Sequence, residues 1–217
     1  MRCIVTAGPT WEPLDQVRRL TNFSTGSLGG ELANALAMAG HSVDLLLSES
    51  STWRAPLAVV QVHPFSTTAS LADVLRSLAA SGPIAVFHAA AVSDFSAGVL
   101  SAREPDGTLR PLHAGKVATR DGHLFVELVP TPKLLPRLRD WFPDAQITGW
   151  KYEVDGTRDD ALDRGRQQLA TARGDACVVN GPAIGTGFVW LRRDAGPVTL
   201  DSRPTLLRTL VSAVTAQ

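Results

Sequence analysis

The chain holds 217 residues, which at roughly 150 residues per domain spans one to two domains and suffices to bury a core without disulfide or metal staples. Hydrophobic residues make up 44% and charged residues 19%, a globular composition that argues against disorder. Lys+Arg and Asp+Glu both number 21, so bulk charge gives no drive toward nucleic acid or a membrane surface.

The first predicted element is a buried strand, CIVTA (3–7), short and branched, ending at Gly8-Pro9. GSLGGELANALAMAG (26–40) sets Leu28, Leu32, Leu36 and Met38 near helical spacing and stops at Gly40. SVDLLLS (42–48) and VVQVH (59–63) read as strands, and TASLADVLRSLAAS after Ser66-Thr67 as a helix. IAVFHAAAV (84–92) is a further buried strand. Residues 93–120 are rich in Gly, Ser and Pro without a clear period and read as a long loop, a form that is usually functional or mobile. LFVELV (124–129) is a strand. Thr131-Pro132 has the pattern of an N-cap and first-turn proline opening KLLPRLRDWF, with Pro136 uncomfortably placed inside it. AQITGW (145–150) is a strand and TRDDALDRGRQQLATAR (157–173) a charged amphipathic helix. DACVVN (175–180), GFVWL (187–191) and PVTLD (197–201) are strands, and RPTLLRTLVSAVTA (203–216) closes the chain as a helix.

Strands separated by helices imply right-handed crossovers and a mostly parallel sheet. GFVWL and PVTLD, joined by the turn-like RRDAG, should pair as an antiparallel hairpin at one edge. The expected fold is α/β: a three-layer Rossmann-like, mostly parallel sheet with a C-terminal antiparallel hairpin, formed by one domain over 1–217 with a flap at about 93–120. Cys3 and Cys177 form no C-x-x-C motif and read as core thiols of a reduced compartment. No stretch approaches the roughly 18 apolar residues of a membrane helix, and MRCIVTAG is too short for a signal peptide, so a soluble cytoplasmic protein is expected.

In such sheets ligands bind beyond the carboxyl ends of the strands, and four motifs lie there. TAGPTWEPLDQVRRLTNFSTGSLGG (6–30) offers a glycine after the first strand and a Gly/Ser/Thr turn at a helix start, suited to an anion or simply to an N-cap and tight packing. HAAAVSDF (88–95) leaves room for a flat ring, with Asp94 fit for a ribose hydroxyl, a metal or a turn cap. The stretch 101–120 sets Arg103, Arg110, Lys116 and Arg120 against Glu104 and Asp106, a basic flap or a solvated loop. In TGWKYE (148–153), Trp150 suits either base stacking or the core. All basic residues except Lys116, Lys133 and Lys151 are arginine.

These motifs carry a resemblance. GPTWEPLDQVR (8–18) is similar to the G-G/P-T-x-E-P-(I/L)-D-x-V-R signature of the phosphopantothenate–cysteine ligase (phosphopantothenoylcysteine synthetase) family. LTNFSTGSLG (20–29) resembles its I-S-N-x-S-S-G-K-M-G segment, AAAVSDF (89–95) its A-A-V-A-D-(Y/W), and LVPTPKLL (128–135) its L-x-x-N-P-D-I-(L/V). ITGWKYE (147–153) resembles its V-G-F-x-x-E, and VVN (178–180) its I-x-A-N. The likeness is collinear over essentially the whole chain. Nothing corresponds to the flavin-binding decarboxylase often fused ahead of this domain, so a stand-alone synthetase-type domain is expected.

The resemblance implies a two-step ligation in coenzyme A biosynthesis. The carboxylate of 4′-phosphopantothenate attacks the α-phosphorus of CTP or ATP, and cysteine then displaces the nucleoside monophosphate from the acyl-nucleotide. It assigns Asn22 to the acyl-nucleotide and Lys116, as the first lysine of the K-x-K-K flap, to the triphosphate. Gly8, Thr10, Ala90, Ala91, Asp94 and Trp150 would line the nucleotide, and Ser24, Thr25, Gly26 and Arg120 the substrate or phosphates. Mg²⁺ would ride mainly on triphosphate oxygens, with no dedicated protein metal site, and the family's habit implies a homodimer. The chain departs from the family pattern at three places: the flap reads Lys116-Val117-Ala118-Thr119, Ser27 stands in place of the lysine of S-G-K-M-G, and Lys151-Tyr152 replace small residues before Glu153. These departures motivate the alternative of a non-catalytic or repurposed nucleotide-binding homologue. An NAD(P)-dependent reductase would need Tyr-x-x-x-Lys, but Tyr152, the single tyrosine, is followed four residues on by Gly156.

Overall fold

A short branched run that is apolar on both sides makes a strand covered on both faces, and Arg2–Ala7 does so. In the computed structural model, which describes residues 1–58, 61–83, 85–113, 115–118 and 122–215, this run is β1, buried from Cys3 to Ala7. A short hairpin, β2 (Trp11–Pro13) and β3 (Arg19–Thr21), precedes α1 (Ser27–Met38). Next come β4 (Ser42–Ser48), β5 (Gln61–Phe65), α2 (Thr68–Leu78) and β6 (Ala85–His88). β7 (Phe95–Arg103), β8 (Leu109–Pro111) and β9 (Leu124–Pro130) lead to α3 (Leu135–Trp141). β10 (Gln146–Tyr152), α4 (Arg158–Thr171), β11 (Ala176–Asn180), β12 (Phe188–Arg192), β13 (Ala195–Leu200) and α5 (Arg203–Thr215) complete the chain.

Among the described residues the main sheet has eight strands in the order β13-β12-β11-β10-β6-β1-β4-β5. The strands from β11 to β5 run parallel, and β12 and β13 pair antiparallel at one edge. The expected α/β fold and its terminal hairpin are thus borne out. The alternation of side chains along each strand divides the core. Val5, Leu45, Phe87 and Val178 meet Leu32 and Leu36 of α1 and Leu206 and Leu210 of α5. On the opposite face Ile4, Leu46, Val86 and Ile147 meet Leu71 and Leu75 of α2 and Leu138 of α3. Cys3 lies in the first of these clusters and Cys177 in a third, under α4 beside Leu169 and Val179; burial pushes the Cys3 thiol up to about 11 and the Cys177 thiol up to about 12, leaving neither a nucleophile at neutral pH.

Several expectations need correction. Residues 93–120 are not one long loop: β7 and β8 occupy much of them and join β9 in a separate antiparallel sheet ordered β8-β7-β9. That sheet keeps residues of both faces half exposed and is kinked between Ala97 and Leu100, so its strands lack the period that burial imposes. The strand expected at 124–129 is β9 of this small sheet. The third helix begins at Leu135, not after Thr131, because the Thr131 hydroxyl donates to the Ser93 carbonyl instead of capping a helix. Pro136 then falls in the first turn, where its missing N–H costs nothing. The strand expected over 84–92 ends at His88; Val59, Val60 and Ile84, expected in strands, lie outside the described residues.

Candidate functional site

The chain leaves β1 for α1 and β4 on one side and later returns to place β6 on the other, so the strand order reverses between β1 and β6. The crevice beyond the carboxyl ends at such a reversal is where open α/β sheets bind ligands. Gly8 ends β1 with φ of +90°, and a Cβ there would lie 2.7 Å from Cβ of Ser48. Gly26, with φ of +81°, comes so close that its Cβ would stand 3.3 Å from the Gly8 backbone and 2.6 Å from Oγ of Ser51. Two glycines in contact let the start of α1 press against the end of β1.

The seam between β1 and β6 continues past both strands. Pro9 bridges Ala91, the Thr10 N–H donates to the Ala91 carbonyl at 3.1 Å, and the Ala91 N–H donates to the Gly8 carbonyl at 3.0 Å. The Ala90 N–H donates to Oγ1 of Thr6 at 3.1 Å, and that hydroxyl lies 3.0 Å from Nδ1 of His88. The Thr6 hydroxyl thus links the Ala90 N–H to the His88 ring. Burial drives the His88 pKa down to about 4, so the ring is neutral. Asn22, directly after β3, donates through Nδ2 to the carbonyl oxygens of Val92 at 3.2 Å and Ala91 at 3.4 Å. Its side chain is anchored at the seam while the residue itself stays exposed.

At the same place α1 begins without a side-chain cap. Thr25 is exposed and Ser24 half buried, and the Thr25 hydroxyl accepts the Ser27 N–H at 3.3 Å. Free amides at the positive end of a helix can hold an anion. Gly8, Asn22, Ser24, Thr25, Gly26, Ala90 and Ala91 are thus brought together. Thr10 belongs to the same seam, but its side chain is fully buried and its hydroxyl accepts the Ser93 N–H at 2.8 Å. It fastens the seam rather than offering a free hydroxyl.

Lys116 is exposed on a loop fastened to the tip of the β2–β3 hairpin. The Gln16 N–H donates to the Gly115 carbonyl at 2.9 Å, Arg18 Nη2 donates to the Val117 carbonyl at 2.9 Å, and the Val117 N–H reaches Oδ2 of Asp15 at 3.4 Å. The Arg18 guanidinium and the N–H groups of Val17 and Arg18 hold the Asp15 carboxyl well below the usual carboxylate range. Asp15 and Arg18 stand in the GPTWEPLDQVR signature, but no site role was assigned to them from the sequence. Glu12 of the same signature accepts the Thr68 N–H at 2.9 Å, capping α2. The loop that carries Lys116 is thus fastened to one end of the hairpin, and Asn22 follows its other end.

The remaining candidates lie further out. Asp94 is exposed and ion-paired with Lys133. Trp150 lies within β10, two residues before its end and on the far side of β6 from β1; its ring packs half buried on the α1-facing core, and its Nε1 is shielded without a hydrogen-bond partner. Lys151 lies 3.0 Å from Oε1 of Glu153, which Arg164 also binds. Burial works against ionising Glu153, but these two cations prevail and lower its pKa. Arg120 lies outside the described residues. Among the described residues no group of three or more His, Cys, Asp or Glu side chains converges as a metal cage. Nor is any described helix long and apolar enough to cross a membrane.

Comparison with known proteins accords with this arrangement. The chain is 30% identical over 181 residues to the coenzyme A biosynthesis bifunctional protein CoaBC of Thermococcus kodakarensis, covering 82% of this chain and 41% of that protein. It is 32% identical over 181 residues to the CoaBC of Mycolicibacterium smegmatis, covering 83% and 42%. The chain thus spans about two fifths of the curated relatives it matches. The crystal structure of the DNA/pantothenate metabolism flavoprotein from Streptococcus pneumoniae superposes with a TM-score of 0.85 at 22% identity, covering 100% of this chain and 99% of that one. A Cab2 variant in complex with phosphopantothenate-cysteine superposes with a TM-score of 0.73 at 21% identity, covering 99% and 85%. Both structural likenesses speak to the fold. The family described as the DNA/pantothenate metabolism flavoprotein C-terminal domain matches residues 1–199, and the chain belongs to that family.

Proposed function

We propose that the chain is a ligase that joins 4′-phosphopantothenate to cysteine through an acyl-nucleotide, using CTP or ATP. The observation that carries the reading is the meeting of the anchored Asn22 amide and the uncapped start of α1 at the β1–β6 seam. A carboxylate is a poor acyl donor until a nucleotide turns one of its oxygens into a leaving group. In the first step that oxygen bonds to the α-phosphorus and pyrophosphate leaves. In the second the cysteine amine bonds to the acyl carbon, loses a proton, and the nucleoside monophosphate leaves. Both steps build charge on oxygen, which needs fixed donors and cations rather than a nucleophilic side chain.

The residues present suit those demands. Gly8, Gly26 and the seam at Ala90 and Ala91 let a nucleotide approach backbone, and the α1 amides with Ser24 and Thr25 face the phosphates. Asn22 presents an uncharged amide to the acyl-nucleotide, and Lys116 supplies positive charge from its loop. Mg²⁺ accompanies the triphosphate as part of the substrate. The one-domain reading over 1–217 and the homodimer belong to the same proposal. Supporting the dimer, the small β8-β7-β9 sheet exposes Phe95, Val99, Leu109, Leu128 and Val129.

The test incubates the protein with phosphopantothenate, cysteine, Mg²⁺ and either CTP or ATP, and follows pyrophosphate release and product mass. Pyrophosphate with one nucleotide and a phosphopantothenoylcysteine mass bears the reading out. Nucleotide binding without product from either would favour a non-catalytic nucleotide-binding protein, the reading that the reduced K-x-K-K flap motivates.

A further inference from the structure

The departures from the family pattern leave the start of α1 without its own cation. We infer that Arg203, the first residue of α5, supplies the positive charge that the triphosphate meets there; this rests on the proposed nucleotide-dependent reading of the site. α1 and α5 pack side by side on one face of the sheet, and α5 starts next to the start of α1. Arg203 reaches across a separation of 176 residues to donate from Nη1 to Oγ of Ser27 at 3.1 Å, and to Oε1 of Glu31 at 3.0 Å. Ser27 and Glu31 are one turn apart on the same helix face, so they form a two-point cradle for one end of the guanidinium. The side chain is 42% exposed, and a guanidinium has five donors. The described contacts use only Nη1, which leaves donors to turn toward phosphate oxygens at the uncapped amides.

Arg203 is itself ion-paired with Glu31, and other cations also have partners. Lys151 is held by Glu153 and Lys133 by Asp94, and Arg54 Nη1 donates to the carbonyls of Ser51 and Trp53. Among the described residues, Arg203 is the charged side chain that hydrogen-bonds within the Asn22–Ser27 turn. Its planar fork suits phosphate better than a lysine would, and Ser27 is small enough to admit it where a lysine would fill the same space. The exchange moves the cation from α1 to α5 while keeping it at the same helix start.

The test is direct calorimetric binding of CTP and ATP with Mg²⁺ to wild type, R203Q and the double variant S27K/R203Q, alongside pyrophosphate release in the full reaction. R203Q should weaken triphosphate binding by about tenfold or more, the loss of a hydrogen bond to a charged group, and S27K should restore part of it. The KM for phosphopantothenate should change far less than that for the nucleotide. R203Q binding the triphosphate within about twofold of wild type would overturn the role of Arg203 while leaving ligation untouched. A wild-type protein that binds triphosphate but releases no pyrophosphate would sink the ligase reading, and the R203Q comparison would still decide this one. Wild type that binds no triphosphate would overturn both.

Discussion

The side-chain amide of Asn22 is tied to the carbonyl oxygen of Val92 at 3.2 Å, so the residue that follows β3 is fixed to the segment that follows β6. The bond requires an N–H donor, because both facing groups, the carbonyls of Val92 and Ala91, are acceptors. Asn22→Asp replaces the donor with a negative oxygen opposite two carbonyls. Ligation should fall by about 100-fold or more, the range for losing one preorganised donor at a developing oxyanion. Because Asn22 is exposed, the melting temperature should move little. Rapid-quench measurement of acyl-nucleotide and product separates the steps, and undiminished turnover would remove Asn22 from the chemistry.

Lys116 depends for its position on a carboxylate it does not touch. Asp15 and Arg18 hold Val117, the next residue, from both its N–H and its carbonyl. Lys116→Gln should lower turnover at least about tenfold, since it removes a cation from the path of the phosphates, and should leave folding intact. Asp15→Asn should raise the nucleotide KM by loosening the loop while the lysine itself is retained. The depressed Asp15 pKa also sets a sign. Its stabilisation is fully present above the unfolded carboxylate value and is lost only as pH falls through a folded value far below it. Asp15→Asn should therefore lower stability at neutral pH and flatten the acid limb of the stability profile. A KM unchanged by Asp15→Asn would break the link between the hairpin tip and the flap.

What could be read from the amino-acid sequence follows from burial. β1, β4, β10 and β11 are covered on both faces, so their apolar runs were legible, and α1 showed itself through Leu32 and Leu36. β7 escaped because a small sheet with both faces half exposed imposes no alternation. β2 and β3, three residues each, are too short to show a period. The site followed the same division. Gly8, Asn22, Gly26, Ala90 and Ala91 could be placed because strand ends in a parallel sheet share one rim. The burial of Thr10, the pairing of Asp94 with Lys133 and the contact of Arg203 with Ser27 could not. Each is a long-range side-chain relationship with no local pattern.

Gly8 permits a substitution test that separates backbone from chemistry. Its φ of +90° is costly for a residue with a side chain, and a Cβ there would lie 2.7 Å from Cβ of the buried Ser48. Gly8→Ala should cost about 1–3 kcal/mol of stability from backbone strain alone and should also weaken nucleotide binding by moving the end of β1. Gly40, with φ of +86° but open space around it, is the control. Gly40→Ala should show the backbone penalty without loss of nucleotide affinity. Equal affinity losses in the two variants would mean that Gly8 matters for stability only.

His88 gives the seam a pH dependence of definite sign. The folded ring titrates at about 4 because burial disfavours the imidazolium, whereas an unfolded chain protonates near 6.5. Between those values the unfolded state binds a proton that the folded state does not, so stability rises with pH across this window and is lost on acidification. The loss attributable to this ring should be on the order of 3 kcal/mol by pH 4. Protonation would also place a donor at Nδ1 against the Thr6 hydroxyl that orients the Ala90 N–H, so nucleotide affinity should fall in the same range. Urea denaturation of wild type and His88→Gln from pH 7 to pH 4 provides the measurement. The wild-type curve should lose stability faster than that of the variant, which has no imidazole to charge. Parallel curves would mean that the His88 ring takes up its proton as readily in the folded protein as in the unfolded chain, and the pH dependence assigned to it would fall.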